Sequence, residues 1–210
     1  MIERIALIGG DEFRPGCEEA DRAIMAATGA AKPKVLVVPT AAVEGSPSKA
    51  AANGVSYFAN LGADAAPLMV LDAADAGDEG LAGPIGSADV VYLSGGNPAY
   101  LRDSLKGSPV LQAMLDAHKK GAWLAGSSAG AMVLGTWMRF REWTRALDVV
   151  SGVVTLPHHE RSDPESISEE LARNAPEGLL AAIGVDGRTG CLALAGGWKV
   201  LGPGQATVYE

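Results

Sequence analysis

This sequence contains few of the residues that hold proteins together covalently or through a metal ion. It has two cysteines, Cys17 and Cys191, and three histidines among 210 residues. Two cysteines without Cys-x-x-Cys spacing cannot provide the disulfide cross-links that would stabilise a domain of this size. We therefore expect reduced, buried thiols. The histidines and carboxylates lack the spacing of a zinc site such as H-E-x-x-H, and we expect the protein to work without a metal or other cofactor.

Positive charge and long apolar runs are also scarce. Lys and Arg number 17 against 25 Asp and Glu, so the formal net charge is −8. Binding to a nucleic acid or to an anionic membrane surface needs clustered basic residues, which this balance does not favour. No apolar run approaches the roughly 18 residues that cross a bilayer, and the first residues lack the basic region of a signal peptide. We therefore expect a cytoplasmic protein whose partners are neither nucleic acids nor membranes.

The composition is that of a folded globular protein. Hydrophobic residues make up 48% of the chain and charged residues 20%, and the length favours one domain over residues 1–210. Four short apolar runs, each followed by turn residues, are typical of strands buried on both faces: Ile5–Ile8, Val35–Val38, Val90–Leu93 and Trp123–Ala125. Segments of helical length and composition lie between these runs.

Strands that alternate with helices predict an α/β fold, in which helices cover both faces of a mostly parallel sheet. Near the C-terminus, Cys191–Leu194 and Val200–Leu201 flank a glycine turn and predict antiparallel strands at one edge of the same sheet. Ligands bind such sheets beyond the carboxyl ends of the strands. The residues that follow each strand are therefore the candidates for chemistry.

The segment Gly126-Ser127-Ser128-Ala129-Gly130 follows a predicted strand and precedes the helix-prone run Ala131–Leu134. A G-x-S-x-G segment in this setting is typical of a nucleophile elbow, whose flanking glycines permit the sharp turn. The hydroxyl of Ser128 would project above the sheet, and the backbone N–H of Ala129 would be placed to stabilise an oxyanion. The alternative interpretation is a plain turn in which Ser128 caps the helix.

A serine hydroxyl needs a general base, and the three histidines are the candidates. His118 lies beside two lysines in a predicted helix and is expected at the surface. His158 and His159 follow the predicted strand Val153–Leu156, so their loop can face the elbow. Because adjacent side chains point in different directions, we expect one of the pair to act as the base.

A second glycine-rich segment, Ser94-Gly95-Gly96-Asn97-Pro98, follows the predicted strand Val90–Leu93. Paired glycines at a strand end let backbone N–H groups approach a ligand closely. This loop can therefore supply the second oxyanion donor that acyl transfer needs. A turn that merely precedes a helix is the alternative.

A carboxylate usually orients the catalytic histidine and stabilises its charged form. The candidates late in the chain are Glu160, Asp163 and Asp186. The first two look solvated, whereas the turn at Asp186 can close over the histidine loop. The acidic pair Asp11 and Glu12, after the first strand, is interpreted as a solvated cap, with a position at the border of the site as the alternative.

Together these features resemble the S51 serine peptidases, a family that includes peptidase E (aspartyl dipeptidase) and cyanophycinase. The resemblance rests on four segments: Ile8–Gly10, Leu93–Asn97, Gly126–Ala131 and Pro157–His159. It implies a flavodoxin-like three-layer α/β sandwich, similar to class I glutamine amidotransferases. It also implies roles for individual residues: Ser128 as nucleophile, His158 as base and Gly96 as an oxyanion donor. We expect Ala129 to be the second oxyanion donor and Asn97 to take part in substrate binding.

The third catalytic position departs from the family pattern. The family has a Glu in a segment like G-I-D-E-x-T-A, where this sequence has Gly187, with Asp186 one position earlier. We therefore infer a Ser-His-Asp arrangement that uses Asp186. Selection of a substrate carboxylate needs a local cation in so acidic a chain, and Arg161, three residues after His158, is the candidate. A solvated loop arginine is the alternative.

We expect a serine exopeptidase that hydrolyses short peptides through an acyl-enzyme, as a dipeptidase or a carboxypeptidase, with acidic-residue selectivity as one option. An esterase or amidase with the same elbow, and a non-catalytic or regulatory protein with a degraded triad, are the alternatives. The aromatic segment Trp137–Trp143 is interpreted as a packed wall or as the interface of a homodimer.

Overall fold

The computed structural model describes residues 3–210 of the chain. Six of its helices begin at a side chain that accepts an N–H of the first turn, and proline follows four of these caps, namely Ser46, Asn97, Ser108 and Asp163. The helices are α1 (Glu18–Ala27), α2 (Pro47–Asn60), α3 (Ala73–Ala76), α4 (Glu79–Ala82), α5 (Pro98–Leu105), α6 (Pro109–Lys119), α7 (Ala129–Leu134) and α8 (Pro164–Asn174).

The strands of residues 3–210 form two sheets. In chain order they are β1 (Ile5–Ile8), β2 (Lys34–Val38), β3 (Asp64–Pro67), β4 (Val90–Leu93), β5 (Trp123–Ser127), β6 (Gly135–Phe140), β7 (Glu142–Arg145), β8 (Val150–Pro157), β9 (Ala181–Val185), β10 (Gly190–Leu194), β11 (Gly197–Leu201) and β12 (Ala206–Tyr209).

The larger sheet has the strand order β11-β10-β1-β5-β4-β2-β3. From β1 to β3 in that order every pair is parallel, whereas β10 and β11 are antiparallel at one edge. The predicted α/β fold, with a mostly parallel sheet and antiparallel strands near the C-terminus, is confirmed. The continuous apolar pattern of the inner strands has the expected cause, since helices cover both faces of the sheet.

Alternate residues of β1 enter two different hydrophobic clusters. Ile5 and Leu7 pack with side chains of α5, α6 and α7 on one face. Ala6 and Ile8 pack with side chains of α1 and α2 on the other face. The sheet is therefore the middle of three layers, and its period-two alternation distributes each strand between two cores.

The sequence does not predict the second sheet, whose strand order is β12-β9-β8-β6-β7. In this sheet β6, β8 and β9 pair in parallel, and antiparallel edge strands flank them. The aromatic segment around Trp137 forms the β6–β7 hairpin, in which the Arg145 guanidinium lies 4.0 Å from the Trp137 ring centroid. Trp137 and Trp143 are partly buried and pack against a small apolar cluster, as expected for a packed wall.

The topology brings several strand ends to one place. In the larger sheet β1 lies next to β5, and β5 lies next to β4. The end of β8 joins them from the second sheet, because the His158 N–H donates a hydrogen bond to the Gly9 carbonyl at 2.8 Å. The loops after β1, β4, β5 and β8 therefore meet. None of the helices in residues 3–210 is long and apolar enough to span a membrane.

Candidate active site

Ser128 occupies the sharp turn between β5 and α7. Its backbone has φ 49° and ψ −107°, a region that residues other than glycine rarely adopt. The Ser128 N–H donates to the Ile8 carbonyl at 2.9 Å, which ties the turn to β1. Close packing requires the flanking glycines, because a Cβ on Gly126 would lie 2.3 Å from the Gly130 carbonyl carbon, and a Cβ on Gly130 would lie 2.3 Å from the Leu93 oxygen. The predicted strand–turn–helix geometry is therefore present.

His158 follows the last residue of β8 and also has a positive φ, 51°. Its imidazole lies on the α-carbon of Gly10, so that a Cβ there would be 2.2 Å from Cε1 and 2.4 Å from Nε2 of the ring. Because Gly10 has no side chain, it avoids this clash, and its backbone can adopt a φ of 124°. Ser128 and His158 line one cleft of about 700 Å³.

The loop between β4 and α5 forms another side of this cleft, through Gly95 and Gly96. Gly96 has φ 141°, and a Cβ on it would lie 2.0 Å from the Ala41 carbonyl oxygen. Within residues 3–210, neither the Gly96 N–H nor the Ala129 N–H donates to a protein acceptor. Both N–H groups of the predicted oxyanion pair therefore remain available for an acceptor supplied by a ligand.

Glu12 connects the loop after β1 to the glycine loop between β4 and α5 and to the elbow between β5 and α7. Its Oε1 accepts the Gly95 N–H at 2.8 Å, and its Oε2 accepts the Ser127 hydroxyl at 2.8 Å. Glu12 is only partly exposed and lines the cleft beside Ser128. The interpretation of Glu12 as a solvated cap is therefore wrong, because its carboxylate holds the glycine loop against the elbow.

The sequence model of peptidase family S51 matches residues 5–184. The chain belongs to this family. Two curated cyanophycinases, from Trichormus variabilis and from a Nostoc species, are each 24% identical over 222 residues, with 98% of this chain and 73% of each relative covered. Family membership supports a hydrolase of the peptidase class.

Two solved structures have the same fold as this S51 chain. The crystal structure of a peptidase from an acI-B1 Actinobacterium superposes with a TM-score of 0.86 at 27% identity, covering 99% of this chain and 91% of that one. A putative peptidase E protein from Listeria monocytogenes EGD-e superposes with a TM-score of 0.65 at 15% identity, covering 100% and 98%. At that identity the second likeness shows the fold alone.

Three residues assigned to this S51 site from the sequence have other contacts in the structure. The Asp186 Oδ2 accepts the Gln205 N–H at 2.9 Å, and no hydrogen bond joins Asp186 to His158. The side chain of Asn97 caps α5 by accepting the Tyr100 N–H at 3.0 Å, and Asn97 does not line the cleft. Asp186 and Asn97 are therefore held by other backbone groups and make no hydrogen bond to Ser128 or His158 within residues 3–210.

Arg161 is the third of these residues. Its Nε lies 3.2 Å from the Glu160 Oε1, and its guanidinium lies 3.9 Å from the Asp11 Oδ2. Its side chain is 63% exposed and does not line the cleft. The arginine that does line the cleft is Arg14, in the loop after β1, which the sequence analysis did not select. The rule that ligands bind beyond strand ends could have identified it.

The two adjacent histidines point in different directions, as expected. The His159 ring is buried over Gly184, and its Nε2 lies 2.8 Å from the Tyr209 hydroxyl. The more distant His118 pairs its Nδ1 with the Ala122 carbonyl at 3.0 Å, near the end of α6. Of the three histidines, His158 alone lines the cleft.

A buried acid, Asp21, is hydrogen-bonded to one of the side chains that line the cleft. Tyr57 lines the cleft, and its hydroxyl donates to the Asp21 Oδ2 at 2.8 Å. Asp21 is buried, and its Oδ1 has no hydrogen-bond partner among residues 3–210. Burial raises the pKa of Asp21 to about 7, although the hydrogen bond from Tyr57 lowers it. No local sequence signal marks this pair, which joins α1 to α2.

Proposed function

We propose that this S51 chain is a serine peptidase that hydrolyses short peptides through an acyl-enzyme on Ser128. The observation that carries the proposal is that the Ser128 side chain and the His158 imidazole line the same cleft. The side chain of Ser128 makes no capping hydrogen bond to α7, so its strained backbone has no capping role to explain it. A strained, partly exposed serine that lines the same cleft as a histidine supports a nucleophile.

In the proposed reaction, His158 removes the proton of the Ser128 hydroxyl as the oxygen attacks the carbonyl carbon of the scissile peptide bond. The N–H groups of Gly96 and Ala129 donate to the oxyanion that forms. As the tetrahedral intermediate collapses, the carbon–nitrogen bond breaks and His158 protonates the leaving amine. A water molecule, deprotonated by His158, then hydrolyses the ester and restores the serine.

The size and charge of the cleft support a short peptide as the substrate. A volume of about 700 Å³ lies in the range of small-ligand sites. Arg14 is exposed at the cleft and makes no ion pair within residues 3–210. We therefore assign to Arg14, in place of Arg161, the binding of a substrate carboxylate, either a C-terminus or an acidic side chain. Such a site favours an exopeptidase.

A fluorophosphonate probe tests the nucleophile directly. We expect one covalent adduct, located by mass spectrometry on Ser128, and its loss in Ser128→Ala. The matched control is Ser168→Ala, which changes an exposed serine of α8 and should label like the wild type. Labelling at another residue, or none in the folded wild type, would count against the proposal.

A digest of a di- to tetrapeptide library by the purified protein tests the substrate class. Release of amino acids, dependent on Ser128, is the expected result, and the released residues identify the selected end of the peptide. Turnover of small acyl esters without peptide cleavage indicates an esterase instead. Binding of peptides without any turnover indicates a non-catalytic member of the family.

A further inference from the structure

The imidazole of His158 lacks the partner that a catalytic histidine normally has. Its Nδ1 is buried and has no hydrogen bond to any group in residues 3–210. A general base works best when a carboxylate fixes its tautomer and stabilises the imidazolium that forms. Asp186 makes no hydrogen bond to His158 within residues 3–210, and its carboxylate accepts the Gln205 N–H.

Two carboxylates converge beside the histidine loop, at Gly187. Glu160 Oε2 accepts the Gly187 N–H at 2.8 Å. A Cβ on Gly187 would lie 3.2 Å from the Asp11 Oδ2 and 3.3 Å from the Glu160 Oε1. The absence of a side chain at position 187 therefore leaves room for both acids.

This corner of the molecule is joined directly to the histidine. The N–H of Arg188, the residue after Gly187, donates to the Gly10 carbonyl at 2.8 Å. Gly10 is the residue on which the His158 ring lies. Glu160 is also only two positions after His158, in the short 3-10 turn His159–Arg161 that begins at the histidine.

We propose that Glu160 is the positioning residue of this site, which fixes the His158 ring and stabilises its charged form during acyl transfer. The proposal rests on the proposed function and names the acid that supports its base. Hydrogen bonds of catalytic groups are often loose in the free enzyme and tighten when substrate binds. We therefore place the Glu160–His158 hydrogen bond in the substrate complex, whereas the charge interaction also acts in the free protein.

The charges around Glu160 are consistent with this role. Partial burial opposes its ionisation, but hydrogen bonds from the Gly187 N–H and from its own N–H, together with the Arg161 guanidinium and the His158 ring whenever that ring is protonated, lower the pKa of Glu160. The acid is therefore ionised at neutral pH. Asp11 and Arg161 are the other charged groups at this corner, and the guanidinium lies between the two carboxylates.

The variant Glu160→Gln removes the charge but keeps an oxygen that can accept the Gly187 N–H. We expect a roughly 10- to 100-fold lower kcat with a smaller change in KM, because the missing charge matters most when the imidazolium forms. The acidic limb of the kcat/KM profile should move to lower pH, since an imidazole without its carboxylate holds its proton less tightly. Glu160→Asp should recover part of the rate.

Two variants serve as comparisons in the same assays. Glu165→Gln removes a charge from an exposed residue at the start of α8 and should leave kcat and the pH profile unchanged. Asp11→Asn removes the competing carboxylate and should have the weaker effect. If Asp11→Asn moves the acidic limb and Glu160→Gln does not, or if Glu160→Gln behaves as Glu165→Gln does, the proposal is overturned.

A measurement without turnover separates this proposal from the proposed function. The Cε1–H signal of His158 can be followed by NMR against pH and assigned by its absence in His158→Gln. In Glu160→Gln its titration midpoint should move to lower pH, because the neighbouring negative charge is lost, and in Glu165→Gln it should not move. If the wild type does not cleave peptides but the midpoint moves in Glu160→Gln, the proposed function is wrong and the Glu160–His158 interaction stands. If the midpoint does not move in Glu160→Gln, the proposed interaction is wrong.

Discussion

The imidazole of His158 lies on the α-carbon of Gly10, at a distance that leaves no room for a side chain. The ends of β1 and β8, which belong to different sheets, therefore both position the proposed base. The His158 N–H, bonded to the Gly9 carbonyl, fixes the same contact through the backbone. The loop after β1 is therefore part of the site, although it supplies neither nucleophile nor base.

Gly10→Ala should strongly lower kcat for the proposed reaction and should destabilise the fold only moderately. The new Cβ would meet the His158 ring at 2.2 Å and would also occupy a backbone conformation with φ 124°. We expect at least a 10-fold loss of kcat and a destabilisation of about 1–3 kcal/mol. Steady-state kinetics and thermal unfolding measure the two effects.

Gly29→Ala is the matched control for Gly10→Ala. Gly29 also has a positive φ, 77°, but a Cβ there would meet nothing within 4 Å. Its substitution should cost about 1 kcal/mol of stability and leave kcat unchanged. Equal losses of kcat in both variants would show that backbone strain, and not displacement of the ring, controls activity.

Glu12→Gln should weaken the hydrogen bonds that hold the Gly95–Gly96 loop against the elbow. The carboxylate accepts one hydrogen bond from Gly95 and one from Ser127, whereas an amide has only one oxygen acceptor. Leaving one donor without its acceptor costs about 1–3 kcal/mol, so we expect kcat to fall by roughly 10-fold or more while KM changes little.

The control for this variant is Glu19→Gln. Glu19 accepts a single backbone hydrogen bond, from the Gly202 N–H at 3.1 Å, away from the cleft. Peptidase kinetics and the rate of fluorophosphonate labelling should match the wild type in Glu19→Gln. If Glu12→Gln matched it too, Glu12 would have no part in supporting the loop.

Arg14→Ala should raise KM for peptides that carry the recognised carboxylate. A charged hydrogen bond is worth about 1.5–3 kcal/mol, so we expect an increase of about 10- to 100-fold, with little change for amidated or neutral peptides. Arg161→Ala should not change KM in this way, because Arg161 pairs with Glu160 and Asp11. A higher KM in Arg161→Ala with an unchanged KM in Arg14→Ala would instead assign the binding of the substrate carboxylate to Arg161.

Stability should decrease with rising pH because of Asp21. Its pKa is raised from the ordinary 3.8 to about 7 by burial, so the folded protein holds this proton more tightly than the unfolded chain. The stabilisation is complete below about pH 4 and is lost as the pH rises through about 7. The loss is at most about 4 kcal/mol.

Asp21→Asn should remove this part of the pH dependence, since an amide does not ionise and can still accept the Tyr57 hydroxyl. Urea unfolding at pH 5 and pH 8 measures the difference. Asp64→Asn, at an exposed position on β3, should keep the wild-type dependence. An unchanged slope in Asp21→Asn would show that another group is responsible.

The inner strands were predictable because their environment leaves a strong local signal. The runs Ile5–Ile8 and Val90–Leu93 coincide with β1 and β4, since a strand covered by helices on both faces must be apolar at every position. The elbow was predictable for a similar reason, because the tight turn at Ser128 accepts only glycine at its close contacts. The second sheet gave a weaker signal, since its edge strand β7 is partly or fully exposed at every residue.

The carboxylates of the site show the limit of local patterns. Glu160 and Glu12 look solvated in the sequence, because nothing near them in the chain shows what they will contact. Glu12 meets partners that are 83 and 115 residues away, and Glu160 meets Gly187 at 27 residues. The position of Asp186 in the sequence favours a role beside the histidine. In the fold, however, its carboxylate accepts the N–H of Gln205, 19 residues later in the chain.

The sequence by itself determined the α/β fold, the elbow at Ser128 and the histidine pair from which the base is drawn, because each depends on neighbours within a few residues. Only the tertiary structure decided that His158 faces the cleft, that Arg14 and Glu12 line it, and which acids surround the histidine loop. These relationships are contacts between side chains and loops of distant segments. They form only when the two sheets bring their strand ends together, and no short-range sequence pattern shows which distant segments will meet there.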